Sequence, residues 1–149
     1  YFEKEITNLV KNGVKVQIIG DISKLPLNTQ KMLKYSILAT KKNKKVIINL
    51  CINYGSKKEI VRSVNKAFKK NRKSVITENK ITNNLYLGKP DPDILIRTGG
   101  MKRLSNFMLW QLSYTEIFFL DKLWPDFSQL DLKKIIDKFK KIKRNYGKI

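Results

Sequence analysis

The chain has 149 residues, 42% of them hydrophobic and 30% charged, which is length for one domain with a continuous core and too much apolar material for a disordered segment. Lysine and arginine number 32 against 12 aspartates and glutamates, a net charge of +20, and so lopsided a balance points to an anionic partner or substrate. There is no histidine and one cysteine, Cys51, which excludes Ser-His-Asp triads, imidazole general bases, His-ligated zinc, thiolate clusters and a disulfide framework. No apolar run approaches the roughly 18 residues of a membrane span.

The sequence opens on Tyr1 rather than methionine, and Phe2, Ile6, Leu9 and Val10 form the apolar stripe of a helix without a cap. That pattern predicts a fragment cut within a helix. The helix runs to Asn12, with Gly13 as its left-handed stop. Val14 to Ile19 reads as a strand closed by Gly20-Asp21. A helix is expected from Asn28, as N-cap, to Thr40, with Leu33, Ser36, Ile37 and Thr40 on one side, followed by the basic run Lys41 to Lys45. Val46 to Ile52 is almost continuously apolar, as in a strand buried on both faces, and Cys51 within it reads as a core residue. After Asn53-Tyr54-Gly55, a helix with Ile60, Val61, Val64 and Phe68 leads to the exposed run Lys69 to Lys73, and a short helix around Ile81 to Leu87 precedes Gly88-Lys89-Pro90. Ile94 to Ile96 is a third strand and Glu116 to Leu120 a fourth, with a helix expected over Phe107 to Leu112 between them. Trp124-Pro125-Asp126 is a turn. The last helix, from about Asp131, turns Leu132, Ile135, Ile136, Phe139 and Ile142 to one face. Strands alternating with helices predict an α/β fold with a mainly parallel central sheet flanked by helices, whose ligand site lies beyond the carboxyl ends of its strands.

The segment Asp93 to Phe107 has the outline of a phosphate site. A buried strand delivers Arg97, Gly99-Gly100 allows a tight turn, and Arg103 and Ser105 follow; guanidinium groups bind phosphate bidentately, and a hydroxyl or an N–H at a helix start completes such a cradle. The alternative on spacing alone is an Arg97 paired with Asp91 or Asp93 across an ordinary turn. Glu116, at the head of an otherwise apolar strand, needs either an arginine partner or a hard cation such as Mg²⁺.

Ile96-Arg97-Thr98-Gly99-Gly100, Arg103-Leu104-Ser105-Asn106-Phe107-Met108-Leu109-Trp110-Gln111, Tyr114-Thr115-Glu116 and Leu123-Trp124-Pro125-Asp126-Phe127, in that order, closely resemble the signature of the cis-prenyltransferases, the family of undecaprenyl and dehydrodolichyl diphosphate synthases. Ile18 to Asp21 with Leu25-Pro26, and Asn49 to Gly55 with Glu59-Ile60, resemble its middle strands. The resemblance covers essentially all 149 residues and implies a single domain over 1–149 that lacks its amino-terminal part. It implies elongation of an allylic diphosphate, such as farnesyl diphosphate, by Mg²⁺-dependent cis-condensation with isopentenyl diphosphate to a polyprenyl diphosphate. In family terms Arg97, Arg103 and Ser105 hold the isopentenyl diphosphate, Glu116 assists Mg²⁺ binding, and Trp110, Gln111 and Tyr114 lie in the region that supports a homodimer. The family's aspartate followed by Gly-Asn-Gly-Arg, and its motif rich in Ser, Glu, Asn and Trp, would both precede Tyr1. No catalytic residue is therefore expected within the fragment, which alone should be inactive. Lys102 stands where bacterial members often carry histidine, Gly55-Ser56-Lys57-Lys58 replaces a more usual Gly-Gly-Arg, and the family's terminal Arg-x-Gly reads Asn145-Tyr146-Gly147, with Arg144 one place early.

Two rival readings remain at this point. A non-catalytic subunit of a two-subunit prenyltransferase commonly loses part of the diphosphate motif, whereas Arg97, Arg103, Ser105 and Glu116 are kept together here. A nucleic-acid-binding module would explain the charge, but the aromatics fall at apolar strand and helix positions rather than among the basic residues. Lysine clusters also suit an anionic membrane surface, into which a long prenyl product must leave, so a cytoplasmic or peripheral membrane-associated protein is expected.

Overall fold

The computed structural model describes residues 2–70 and 75–144. The Asn145-Tyr146-Gly147 tail and the end of the basic run, Asn71 to Lys73, lie outside the described residues. The chain divides into two compact units, 1–87 and 88–149.

The first unit runs α1 (Phe2–Lys11), β1 (Val14–Ile19), α2 (Leu27–Thr40), β2 (Val46–Cys51), α3 (Ser56–Lys70) and α4 (Glu78–Thr82). β1 and β2 pair in parallel from Val14 opposite Val46 to Ile19 opposite Cys51. Ile6, Val16 and Ile19 are buried where α1 and α2 pack on β1. α2 meets β1 through hydroxyls: the buried Thr40 Oγ1 accepts from the Val16 N–H at 3.0 Å and donates to the Ser36 carbonyl at 2.7 Å. A side chain thereby satisfies an N–H on the edge of β1 that β2 does not use.

Several expectations are corrected here. β2 is not buried on both faces: Val46 to Leu50 are exposed, because α1 and α2 pack on β1 and β1 is its sole strand partner among the described residues. Cys51 is half-buried rather than a core residue, and that burial, with the negative Glu59 second, pushes its thiol pKa up. α2 starts at Leu27 after Pro26, with no side-chain cap from Asn28. On α3, Val61 and Phe68 point outward while Ser56, Glu59, Ser63 and Ala67 are buried. Its inner face is held by polar bonds rather than an apolar stripe, among them Ser63 Oγ to the Ile81 carbonyl at 2.5 Å. α4 starts earlier than expected because Thr77 caps it, and it ends at Thr82.

The second unit holds β3 (Ile94–Arg97) and β4 (Glu116–Phe119), again parallel, from Ile94 opposite Glu116 to Arg97 opposite Phe119. A 3-10 turn (Trp124–Asp126) and α5 (Gln129–Phe139) follow. Met108, Leu112 and Ile135 form its buried centre. Phe107 to Leu112 is a run of turns rather than a helix, since Ser105, Asn106 and Met108 adopt positive φ and interrupt helical continuation. Both units thus have the expected α/β character, with parallel strands flanked by helices, drawn as two two-stranded sheets.

α5 begins two residues before Asp131 because Ser128 and Asp131 form a reciprocal capping box, and Lys122 Nζ lies 2.7 Å from Asp131. The Lys122 hydrogen bond first, then those of Ser128, hold the Asp131 carboxyl well below the usual aspartate range. A depressed folded-state pKa contributes stability that is present above the unfolded value and lost as pH falls through it. Ser128→Ala should therefore cost about 1 kcal/mol at neutral pH. Its deficit should shrink in urea titrations below about pH 4, where the Asp131 carboxylate of the unfolded chain starts to protonate while the folded one is still ionised; a deficit independent of pH would refute the coupling.

Candidate functional site

β3 carries Arg97 to its carboxyl end. The alternative of an ion pair with a neighbouring aspartate does not hold: Asp93 takes Arg144, Nη1 to Oδ1 at 2.5 Å, and Arg144 also donates to the Tyr114 carbonyl at 2.9 Å. Arg97 Nη1 donates instead to the Arg103 carbonyl and, at 3.0 Å, to Ser105 Oγ. The loop can return to the guanidinium because Ser105 and Asn106 take left-handed φ values of 48° and 62°, a local strain of the kind that accumulates at binding sites.

Arg97, Arg103 and Ser105 are therefore brought together. With Leu95, Leu104 and Phe107 they line a recess of about 350 Å³ in which Arg103 and Ser105 are exposed and Arg97 half-buried. Two guanidinium groups and a hydroxyl at an apolar-walled opening are a donor set for a phosphate or diphosphate. One part of the expected cradle is corrected. The glycine N–H groups are already used, Gly99 to the Lys122 carbonyl at 2.7 Å and Gly100 to the Leu120 carbonyl at 2.9 Å, and no helix start follows. The anion would be held by side chains.

Glu116 lies elsewhere on the same strand pair. It sits opposite Ile94, three residues from the level of Arg97, or about 10 Å at the rise of a parallel strand. It is half-buried and makes no ion pair among the described residues, so the arginine-partner reading is not met. No group of three or more acidic, cysteine or histidine side chains that could hold a metal occurs among the described residues. As a hard oxygen donor Glu116 fits Mg²⁺ as a single ligand only; the remaining ligands would come from substrate, water or residues beyond those described.

A second recess, of about 340 Å³, opens in the first unit beyond the carboxyl ends of β1 and β2, lined among others by Asp21, Asn53, Lys58, Glu59, Arg62 and Tyr86. Its wall is built on Glu59, which is only 2% exposed and accepts from the Tyr54 hydroxyl at 2.5 Å and the Tyr86 N–H at 2.7 Å. Arg62 lies 3.8 Å over the Tyr86 ring and donates to the Asn84 carbonyl at 3.0 Å. Asp21 accepts from the Ser23 hydroxyl and N–H, which hold its carboxyl below the usual range. Sequence reasoning missed Glu59 and Arg62 as lining residues of this recess. An acidic residue in a first helical turn reads as a dipole complement, and an arginine in a lysine-rich helix reads as surface; the one signal was the Gly20-Asp21 and Asn53-Tyr54-Gly55 strand ends.

Residues 1–147 match the family model described as "Putative undecaprenyl diphosphate synthase". The chain belongs to the undecaprenyl diphosphate synthase family. Among its relatives in that family is the isoprenyl transferase of Rickettsia sibirica, 41% identical over 149 residues that cover 99% of this chain and 66% of that protein. The chain thus spans just under two thirds of the length of that curated relative. A crystal structure of a probable undecaprenyl diphosphate synthase from Campylobacter jejuni superposes with a TM-score of 0.91 at 35% identity, over 99% of this chain and 69% of the other. Lavandulyl diphosphate synthase from Lavandula x intermedia, in complex with dimethylallyl diphosphate, gives 0.91 at 32% identity, over 99% and 66%. The family's fold is therefore present at the level of the whole chain described here.

Proposed function

We propose that this chain is part of an enzyme that elongates an allylic diphosphate, such as farnesyl diphosphate, by Mg²⁺-dependent cis-condensation with isopentenyl diphosphate. The convergence of Arg97, Arg103 and Ser105 on one recess carries the reading, in a family whose relatives are named isoprenyl transferases. The two guanidinium groups would bind and orient the isopentenyl diphosphate, with Ser105 fixed against Arg97 as a third donor. Bound Mg²⁺ would neutralise diphosphate charge, with Glu116 as one ligand. A homodimer through the region of Trp110, Gln111 and Tyr114, and a cytoplasmic or membrane-peripheral location, belong to the same reading.

The test is incorporation of labelled isopentenyl diphosphate onto farnesyl diphosphate by the complete gene product with Mg²⁺. Polyprenyl products with cis double bonds are expected. A folded complete product that incorporates nothing overturns the reading in favour of an accessory subunit. Glu116→Gln keeps the shape and removes the charge, so the Mg²⁺ concentration for half-maximal rate should rise roughly tenfold, as for loss of one carboxylate ligand. An unchanged Mg²⁺ dependence would remove Glu116 from the metal.

A further inference from the structure

We infer that Arg144 is a positioning residue: it ties the entry of β4 to the entry of β3 and thereby fixes where the Glu116 carboxylate stands. The inference deepens the reading of Glu116 as an Mg²⁺ ligand and rests on it. The Arg144 side chain is only 16% exposed, although it ends the lysine-rich stretch from Lys138 to Lys143 and an arginine in such company is usually solvated. Elements of the second unit hold it on three sides. Nη1 donates to Asp93 Oδ1 at 2.5 Å, Nη2 donates to the Tyr114 carbonyl at 2.9 Å, and the guanidinium carbon lies 5.4 Å from the centre of the Phe139 ring at the end of α5. A planar fork holds a carboxylate and a carbonyl at once in fixed geometry, which an ammonium does not reproduce.

The two groups that Arg144 joins are the ones that set Glu116. Asp93 precedes β3, and its carbonyl accepts the Glu116 N–H at 3.1 Å. Tyr114 lies two residues before Glu116, and between them Thr115 Oγ1 donates to the Pro92 carbonyl at 2.7 Å. Glu116 is the first residue of β4, and the ends of strands open locally far more easily than their centres. An ion pair whose Asp93 partner is 67% exposed contributes little to global stability. What it supplies is local: it removes freedom from the segment that delivers Glu116, and a metal ligand is held in place by groups behind the ligand itself. Arg97 stands at the other end of β3, opposite Phe119, and is fixed by its own loop rather than by Arg144.

Amide hydrogen exchange in the complete gene product, without Mg²⁺ or substrate, reads the contact itself. Arg144→Ala should speed exchange of the Glu116 N–H about tenfold and leave the Leu120 N–H, bonded to the Arg97 carbonyl at 2.8 Å, within about twofold of wild type. Arg144→Lys should recover part of the protection. Asp93→Asn should loosen the same amide, with the double variant no looser than Arg144→Ala alone. In the incorporation assay, Arg144→Ala should raise the Mg²⁺ concentration for half-maximal rate roughly threefold while the KM for isopentenyl diphosphate stays within about twofold. Added to Glu116→Gln, it should raise the Mg²⁺ requirement no further. Unchanged exchange at Glu116 overturns the inference, as does equal acceleration at Leu120, which is what a general loss of stability would give. An unchanged Mg²⁺ requirement in Arg144→Ala, where Glu116→Gln raises it, overturns it too. If Glu116→Gln itself leaves the requirement unchanged, the reading of Glu116 as a ligand fails, and the exchange rates still decide whether Arg144 fixes the entry of β4.

Discussion

Arg97→Ala in the complete gene product should lower kcat/KM for isopentenyl diphosphate by about 100-fold or more, with most of the loss in KM. Hydrogen bonds to a charged group are worth about 1.5–3 kcal/mol each, and a guanidinium engages a diphosphate through two of them, so about 3 kcal/mol, or two powers of ten, is at stake. The substitution also releases the loop, because Arg97 Nη1 ties the Arg103 carbonyl and Ser105 Oγ to the end of β3. Arg97→Lys separates the two contributions. Lysine keeps a charge but has no planar fork, and it should recover only part of the loss, remaining roughly tenfold below wild type. Stability should change little, since Arg97 is half-exposed and forms no ion pair among the described residues. A KM for isopentenyl diphosphate within about threefold of wild type in Arg97→Ala would remove this cluster from the substrate, because even one lost charge-assisted bond predicts more.

What was legible in the sequence was what depends on neighbours along the chain. Alternation placed β1 at Val14 to Ile19, where it is observed, and the turn at Trp124-Pro125-Asp126 is a 3-10 turn. The motif Arg97 to Ser105 held its outline, because a strand, a glycine pair with φ of 88° and 74° and a short return loop are all local. Burial was the part that could not be read. The apolar run of β2 has the composition of a central strand, but its exposure depends on which elements stand beside it, and among the described residues β1 is its one strand partner. The same holds for α3. Val61 and Phe68 have stripe periodicity, yet the inner face belongs to Ser56, Glu59 and Ser63, whose partners Tyr54, Tyr86 and Ile81 are distant or unremarkable in sequence. Distance along a strand was also invisible: Glu116 and Arg97 both sit on the β3–β4 pair, and only the register separates them.

The second large effect concerns the join between β1 and β2. Gly20 has φ of 114°, and a Cβ there would lie 2.1 Å from the Ile52 carbonyl oxygen and 3.1 Å from its carbon. The contact is backbone, so no rotamer change relieves it. The two strand ends are bound together at this point, by the Ile52 N–H to the Ile19 carbonyl at 2.8 Å and by Asn53 Nδ2 to the Asp21 carbonyl at 3.0 Å. A methyl group would push Ile52 away and strain both bonds, on top of an unfavourable backbone conformation. Gly20→Ala should therefore cost more than about 4 kcal/mol, a large share of the roughly 5–15 kcal/mol that holds a domain folded. Gly99 provides the comparison: its φ is 88°, but nothing lies within 4 Å of an added Cβ, so Gly99→Ala should show only the backbone penalty, about 1–2 kcal/mol. Hydrogen exchange at the β1 amides reads the difference directly. Gly20→Ala should abolish their protection while Gly99→Ala leaves it nearly intact; equal effects would mean that positive φ alone, and not the approach of Ile52, requires glycine at the head of the recess lined by Asp21 and Glu59.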